Sequence, residues 1–307
     1  MKILLTGASS FTGAWFARAL AAAGHEVVAP LRGAVAGYAG ARAERARRLA
    51  GLVRLVPECK FGEAKFLALV AAENFDLLCH HAAEVGDYRA PDFDVAAALA
   101  ANTRALRAVL ETMAGRGLRG VALTGSVFEP DEGAGETPLR AFSPYGLSKG
   151  LTAQVFRYWC GVFGVPLGRF VIANPFGPLE EPRFGAYLLR TWRAGDTAEV
   201  RTPRYVRDNV PVRALAEAYA GFIATIPGGG RETRLGPSFY VETQGAFAER
   251  FARETRARSS LACALALAEQ SDFSEPLTRI NTDPIRLPAS AEAELWDDYI
   301  ETALAGL

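Results

Sequence analysis

Tyr145 and Lys149 stand four residues apart in Ser143-Pro144-Tyr145-Gly146-Leu147-Ser148-Lys149. At the start of a helix this spacing puts both side chains on one face. A phenol titrates near about 10 and is a poor base at neutral pH, but a neighbouring ammonium favours the phenolate. The pair is therefore an acid–base device for interconverting a hydroxyl and a ketone alongside hydride transfer, and the lysine can also hold a nicotinamide ribose. A hydroxyl that polarises the same oxygen is available from Thr124 or Ser126, in Leu123-Thr124-Gly125-Ser126-Val127-Phe128. The two point the same way along an extended strand. Either would serve as the donor, and either would equally bond to backbone.

Hydride chemistry needs a dinucleotide held against the pair. Thr6-Gly7-Ala8-Ser9-Ser10-Phe11-Thr12-Gly13 follows an apolar strand and opens a helix, the setting in which free backbone N–H groups and the positive helix end meet a pyrophosphate. Gly7 permits the tight turn and Gly13 lets the helix pack close to the sheet. Ser10 stands where loops of this type carry a further glycine; it is small enough for close backbone approach, and its hydroxyl can donate to phosphate. The second strand ends Val27-Val28-Ala29-Pro30-Leu31-Arg32 without the acidic residue that binds the ribose 2′-hydroxyl of NAD. Arg32 is either the cation that holds the 2′-phosphate of NADP or a surface arginine.

The elements that must position these groups alternate along the first half of the chain. Strand-like stretches are Ile3–Thr6, Glu26–Leu31, Val53–Val56, Asp76–His80, Val121–Thr124 and Leu167–Ala173; helical patterns cover Thr12–Ala23, Ala41–Ala50, Glu63–Glu73, Phe93–Gly115 and Gly146–Phe163. Short apolar strands alternating with helices predict a doubly wound parallel sheet covered on both faces. Ala41–Arg48 reads as a solvated helix face. Past Asn174 the alternation stops at Asn174-Pro175-Phe176-Gly177-Pro178, and the rest reads as a smaller lobe. The expected division is residues 1–173 for dinucleotide binding and 174–307 for substrate, with about 205–223 returning to the first.

Composition narrows the partners. Lys plus Arg (34) equal Asp plus Glu (34), so bulk charge favours neither nucleic acid nor a membrane surface. No apolar run approaches the roughly 20 residues that span a bilayer, and Met1–Gly7 reads as a buried strand rather than a leader. A soluble cytoplasmic protein is expected. Cys59, Cys79, Cys160 and Cys263 form no CxxC or zinc spacing and read as dispersed thiols. His80 and His81, adjacent on a strand, face opposite sides and cannot easily share a metal, so no metal site is expected.

Together these residues resemble the extended short-chain dehydrogenase/reductases, the group called NAD-dependent epimerase/dehydratases. The family's Thr-Gly-x-x-Gly-Phe-x-Gly is similar to Thr6–Gly13, its His-x-Ala-Ala to His80-His81-Ala82-Ala83, and its helix asparagine to Asn102. Its Ser/Thr-x-x-Val-Tyr is similar to Thr124–Phe128, its Pro-x-x-x-Tyr-x-x-x-Lys to the stretch ending at Lys149, and its Asn-x-x-Gly-Pro to Asn174–Pro178. The resemblance implies a Rossmann-type fold with a C-terminal substrate-binding lobe, Thr124 as the catalytic hydroxyl, and a cofactor, NADP with NAD as the alternative. That cofactor would lie along Gly7, Ser9, Ser10, Phe11, Thr12, Gly13, Arg32, His81, Ala82, Ala83, Asn102, Tyr145, Lys149, Ile172 and Ala173, with His81 at the nicotinamide ribose and His80 in the core.

The resemblance further implies a nucleotide-diphosphate sugar as substrate, contacted by Ser126, Asn174 and Arg207, with a surface salt bridge as the alternative for Arg207. Arg183 and Arg204 are further candidates, as are Asp87, Tyr88 and Arg89, which otherwise read as solvated loop. Sugar 4,6-dehydratases of the family carry Thr-Asp-Glu where this chain has Thr124-Gly125-Ser126, which argues against that elimination. The family's arginine three residues before the strand-ending asparagine is Val171 here, with Arg169 on the same strand face. A homodimer through 93–115 and 146–163 is implied. The expected activity is ketosugar reduction or epimerisation. Two rival readings are a reductase of a small non-nucleotide carbonyl compound and a non-catalytic dinucleotide-binding sensor on the same fold.

Overall fold

The computed structural model describes residues 1–88 and 90–306. The chain forms two compact units: residues 1–132, 140–172 and 216–236 make the first, and 133–139, 173–215 and 237–307 the second. The chain thus leaves the first unit at 133–139 and again at 173, and comes back for 216–236.

The first unit is built on seven parallel strands: β1 (Lys2–Thr6), β2 (Glu26–Pro30), β3 (Arg54–Val56), β4 (Leu77–His80), β5 (Gly120–Ser126), β6 (Leu167–Ile172) and β7 (Glu232–Leu235). They run in the order β7-β6-β5-β4-β1-β2-β3, a doubly wound Rossmann-type sheet. Ile3, Leu4, Leu5, Val27, Val28, Leu77 and Leu78 are all buried, because helices cover both faces.

Connections are α1 (Phe11–Ala22), α2 (Gly40–Leu49), α3 (Ala64–Ala72), α4 (Val95–Asn102), α5 (Leu106–Ala114), α6 (Pro144–Phe163) and α7 (Val212–Thr225), the last entering this unit at Ala216. One face packs Phe66 and Val70 of α3, Val109 and Met113 of α5, and Phe156 of α6 against the sheet. On the other face Phe16 of α1 stacks on Tyr219 of α7 at 4.0 Å, with Phe170 edge-on to both.

Three sequence expectations need correction. The single helix over 93–115 is two, because the Thr103 hydroxyl donates to the Leu99 carbonyl and Ala105 turns left-handed, φ 49°. A Cβ on Gly62 would meet the Arg104 carbonyl at 2.1 Å, so the chain before α3 docks into that break. β7 is a seventh strand, invisible until its pairing with β6 over 232–235 is seen. Within α2, Arg45 is not solvated; its side chain is buried beside Ala46 and Leu49.

In the second unit, Val206–Pro211 is central, paired with Tyr240–Thr243, Thr278–Ile280 and Asn174–Phe176. Helices Phe184–Arg193, Gln244–Arg258 and Ala289–Gly306 enclose a core of Phe176, Trp192, Phe247, Phe251, Trp296 and Tyr299. Among the described residues no helix is long and apolar enough to cross a membrane.

Candidate active site

Residues 6–13 form the turn between β1 and α1. Gly7 has φ +78°, and a Cβ there would lie 2.8 Å from the Ala82 nitrogen; one on Gly13 would lie 2.2 Å from the Gly7 carbonyl oxygen. The turn is therefore as tight as glycine allows. Ser10 caps α1: its hydroxyl oxygen accepts from the Gly13 N–H at 3.1 Å and its proton goes to the Gly7 carbonyl at 2.8 Å. That proton therefore lies inside the turn, where Ser10 acts as the helix cap.

His81 anchors the same turn. Its Nε2 bonds Thr12 Oγ1 at 2.9 Å and Ser10 Oγ at 3.1 Å, and burial drives its pKa down to about 3, so the ring is neutral. Its other ring nitrogen is buried with no hydrogen-bond partner among the described residues. Ala82 N–H donates to Thr6 Oγ1 at 3.0 Å, with Ala83 following it, and Phe11 is buried as the first residue of α1. Behind the turn, Arg45 Nε donates to the Ser9 carbonyl at 3.1 Å, so α2 braces the turn between β1 and α1. Sequence alone hid this. The one signal is Leu49, four residues on, which puts Arg45 on the apolar face of an Arg/Ala-rich helix.

Arg32, past the end of β2, is exposed and meets Glu84 at 3.5 Å. His80 lies in the core, its Nδ1 3.2 Å from Thr6 Oγ1 and its ring against Phe61 and Phe156. Among the described residues no group of three or more His, Cys, Asp or Glu side chains is arranged to hold a metal ion.

α6 carries both Tyr145 and Lys149. The Ser143 hydroxyl accepts from the Gly146 N–H and Pro144 occupies the first turn, a start signal that fixes where the helix begins. Cβ atoms on Gly146 and Gly150 would meet the Phe128 carbonyl at 2.1 Å and Pro130 at 2.7 Å. The helix therefore rests directly on the chain leaving β5. This contact delivers the Lys149 Nζ to the main-chain carbonyl of Thr124 at 2.6 Å. Lys149 is 5% exposed, and burial pushes its pKa below the usual lysine range.

Tyr145, one turn earlier, is ringed by aromatics: Tyr88 and Phe93 each meet it edge-on with centroids 6.0 Å away. Tyr88 of the Asp87–Arg89 stretch thus touches the phenol; Arg89 lies outside the described residues. The Thr124 hydroxyl is buried without a well-formed hydrogen bond, beside Tyr219. Ser126 Oγ accepts the Phe128 N–H at 3.2 Å. Asn102 ties three elements together, accepting the Glu84 N–H at 2.7 Å and donating to Thr152 of α6 at 3.3 Å. The Ile172 carbonyl accepts the Val127 N–H.

Ala173, Asn174 and Arg207 belong to the second unit. There Asn174 pairs in register with Asn209. The Arg207 guanidinium donates to the Val206, Pro276 and Leu277 carbonyls and to Glu275. Arg183 stands at the N-cap position of the helix that begins at Phe184, and Arg204 lies over Phe273.

The turn suits a dinucleotide. Its two glycines let backbone N–H groups converge at a helix N-terminus, and a neutral, half-buried His81 fixes its shape.

Known structures share this fold. A UDP-glucose-4-epimerase from Stenotrophomonas maltophila, with bound NAD and formylated UDP-arabinopyranose, superposes with TM-score 0.78 at 16% identity over 99% of this chain and 98% of that one. A UDP-glucuronic acid 4-epimerase from Bacillus cereus, in complex with UDP-glucuronic acid and NAD, gives 0.75 at 15% over 99% of both chains. DesIV, the dTDP-glucose 4,6-dehydratase of Streptomyces venezuelae, gives 0.74 at 20% over 98% and 97%. No curated protein matches at the sequence level. The sequence profile of the NAD dependent epimerase/dehydratase family matches residues 3–231, and this chain belongs to that family.

Proposed function

We propose that this protein is a nicotinamide-dependent ketoreductase or epimerase of a nucleotide-diphosphate sugar, with Tyr145 as the acid–base group. The observation that carries the reading is the Lys149 amino group, buried, bonded to the Thr124 carbonyl and one helical turn from the phenol. A bound nicotinamide supplies the hydride acceptor or donor. Tyr145 takes a proton from a sugar hydroxyl or returns one to a ketone. Lys149 favours the phenolate and offers its remaining N–H bonds to the ribose. Thr124 hydrogen-bonds the same substrate oxygen, the position to which the family pattern points. Gly7–Gly13 bind the pyrophosphate through main-chain N–H groups, with Arg45 and His81 holding the turn in shape. Tyr145→Phe is expected to lower turnover of a nucleotide-ketosugar about 10²–10⁴-fold; near-normal turnover would remove the role.

The proposed cofactor is NADP, with NAD the alternative. The Arg32–Glu84 pair is long and exposed, so it contributes little and a 2′-phosphate can displace it. Equal affinities for NAD and NADP on titration would withdraw that part. A homodimer is proposed because α6 exposes Leu147, Leu151, Tyr158 and Val162, mostly spaced along one stripe; light scattering that reports a monomer at micromolar concentration removes it.

A second reading rests on Arg207, whose guanidinium is engaged by three carbonyls and Glu275. It is that the substrate is a small carbonyl compound without a diphosphate. Competition by free UDP, GDP or CDP against turnover separates the two.

A further inference from the structure

Arg169 of β6 and Glu129, three residues beyond β5, meet as two buried side chains. Arg169 Nη2 donates to Glu129 Oε2 at 2.5 Å and its Nη1 to Glu132 at 2.6 Å, while Arg234 of β7 donates to the other Glu132 oxygen at 2.8 Å. Glu129 Oε1 accepts the main-chain N–H of Ser126 at 2.7 Å. Two buried basic side chains, Lys149 and Arg169, thus lie in the same unit as two buried acidic ones, Glu129 and Glu132. Buried ion pairs are poor stabilisers, since apolar residues of similar volume are often as stable or more so. This cluster abuts the reacting groups: a Cβ on Gly125 would lie 3.0 Å from Glu129 and 3.5 Å from Arg169. An acidic side chain at 125 would meet the Glu129 carboxylate head-on.

On the reading of Tyr145 and Lys149 as the acid–base pair, we propose that Glu129 is a positioning residue. Clamped between Arg169 and the Ser126 N–H, its carboxylate fixes the strand end that receives Lys149 and supplies the negative charge that keeps the lysine an ammonium.

The balance around Lys149 is explicit. Burial favours the neutral amine, Arg169 pushes the same way, and Glu129 opposes both. Among the described residues, His80 and His81 at the end of β4 also feel its charge, both driven to about 3 by burial and so uncharged, and Tyr145 stands one turn away on its own helix. Glu129 is itself pushed up by burial and drawn back by Arg169, Lys149 and the Ser126 N–H. The charges hold one another in place. Without Glu129, Lys149 faces the Arg169 cation with that opposing charge gone, and an ammonium that deprotonates no longer favours the phenolate.

The chain has four lysines, Lys2, Lys60, Lys65 and Lys149, so lysine Cε resonances can be followed singly by NMR through a pH titration of the protein alone. Lys149→Met identifies the signal. Glu129→Gln is expected to lower the Lys149 midpoint by about one pH unit or more, and the alkaline limb of kcat moves down with it. Glu129→Asp, which keeps the charge, leaves the midpoint near its original value. A Lys149 midpoint unmoved in Glu129→Gln overturns the proposal. If Glu129→Gln does not fold, the comparison passes to Arg169→Met against Arg169→Met/Glu129→Gln, where the same downward shift is expected and its absence is equally fatal. The titration needs neither cofactor nor substrate. A shifted midpoint in a protein that turns over no nucleotide-sugar supports the Glu129–Lys149 coupling and removes only the proposed substrate.

Discussion

Lys149 Nζ donates to the Thr124 carbonyl at 2.6 Å, so the amino group one turn from Tyr145 and the strand end bearing the Thr124 hydroxyl are tied together. The geometry comes from the close rest of α6 on Phe128 and Pro130, and α6 begins where Ser143 and Pro144 start it.

Lys149→Met severs this link. The Thr124 carbonyl is left in the interior without that donor, which costs about 1–3 kcal/mol, and the phenol loses its cation. We expect a lower Tm together with a fall in kcat of about 10²–10⁴-fold. Thermal melts and single-turnover rates on the same preparation check both halves. A stable variant with unchanged kcat would place the acid–base chemistry elsewhere.

Gly13→Ala tests the phosphate-binding turn. The new methyl would lie 2.2 Å from the Gly7 carbonyl oxygen, backbone that has no free side-chain end to swing away. The turn must open, so dinucleotide affinity should fall at least about tenfold, equivalent to about 1.4 kcal/mol. Quenching of tryptophan fluorescence by NADP and NAD measures it. Unaltered affinity for both would mean that the dinucleotide does not use this turn.

The pH dependence of stability follows from His80 and His81. Both have folded pKa values near 3, depressed by burial from the ordinary 6.5. The unfolded chain binds protons at these sites below about pH 6.5 and the folded chain does not, so stability is full above that pH and declines as pH falls towards 3. Each histidine contributes a slope of about 1.4 kcal/mol per pH unit in the middle of the window. His80→Phe, set among Phe61 and Phe156, should remove one such slope between pH 6 and 4. Denaturant unfolding at a series of pH values gives the answer, and parallel curves for the two proteins would refute it.

The readable parts of this site were local. The four-residue step from Tyr145 to Lys149, the strand–turn–helix around Gly7 and Gly13, and the apolar strands of a two-sided sheet are patterns within a few residues. What stayed hidden depends on partners far along the chain. Arg169 meets Glu129 across forty residues and Arg234 meets Glu132 across about a hundred, and no periodicity announces either. The break between α4 and α5 answers to Gly62, and β7 is a strand because β6 offers it an edge. The inward bonds of Ser10, whose Oγ accepts the Gly13 N–H and donates to the Gly7 carbonyl, are likewise set by the closed shape of the turn, which the order of residues alone does not give.

The last test separates the two hydroxyls on β5. Thr124 Oγ1 is buried without a well-formed bond, so its removal in Thr124→Val sacrifices no good hydrogen bond and should change Tm little. If that hydroxyl binds the reacting oxygen, kcat should nevertheless drop by about 10²–10³, as for loss of one preorganised donor, with KM nearly unchanged. Ser126 is the mirror case, because its oxygen already accepts from the Phe128 N–H at 3.2 Å. Ser126→Ala should lower Tm through that lost bond while kcat falls less than in Thr124→Val. The reverse pattern, full turnover in Thr124→Val and a large loss of kcat in Ser126→Ala, would transfer the donor role to Ser126 and leave Thr124 as part of the buried contact with Tyr219.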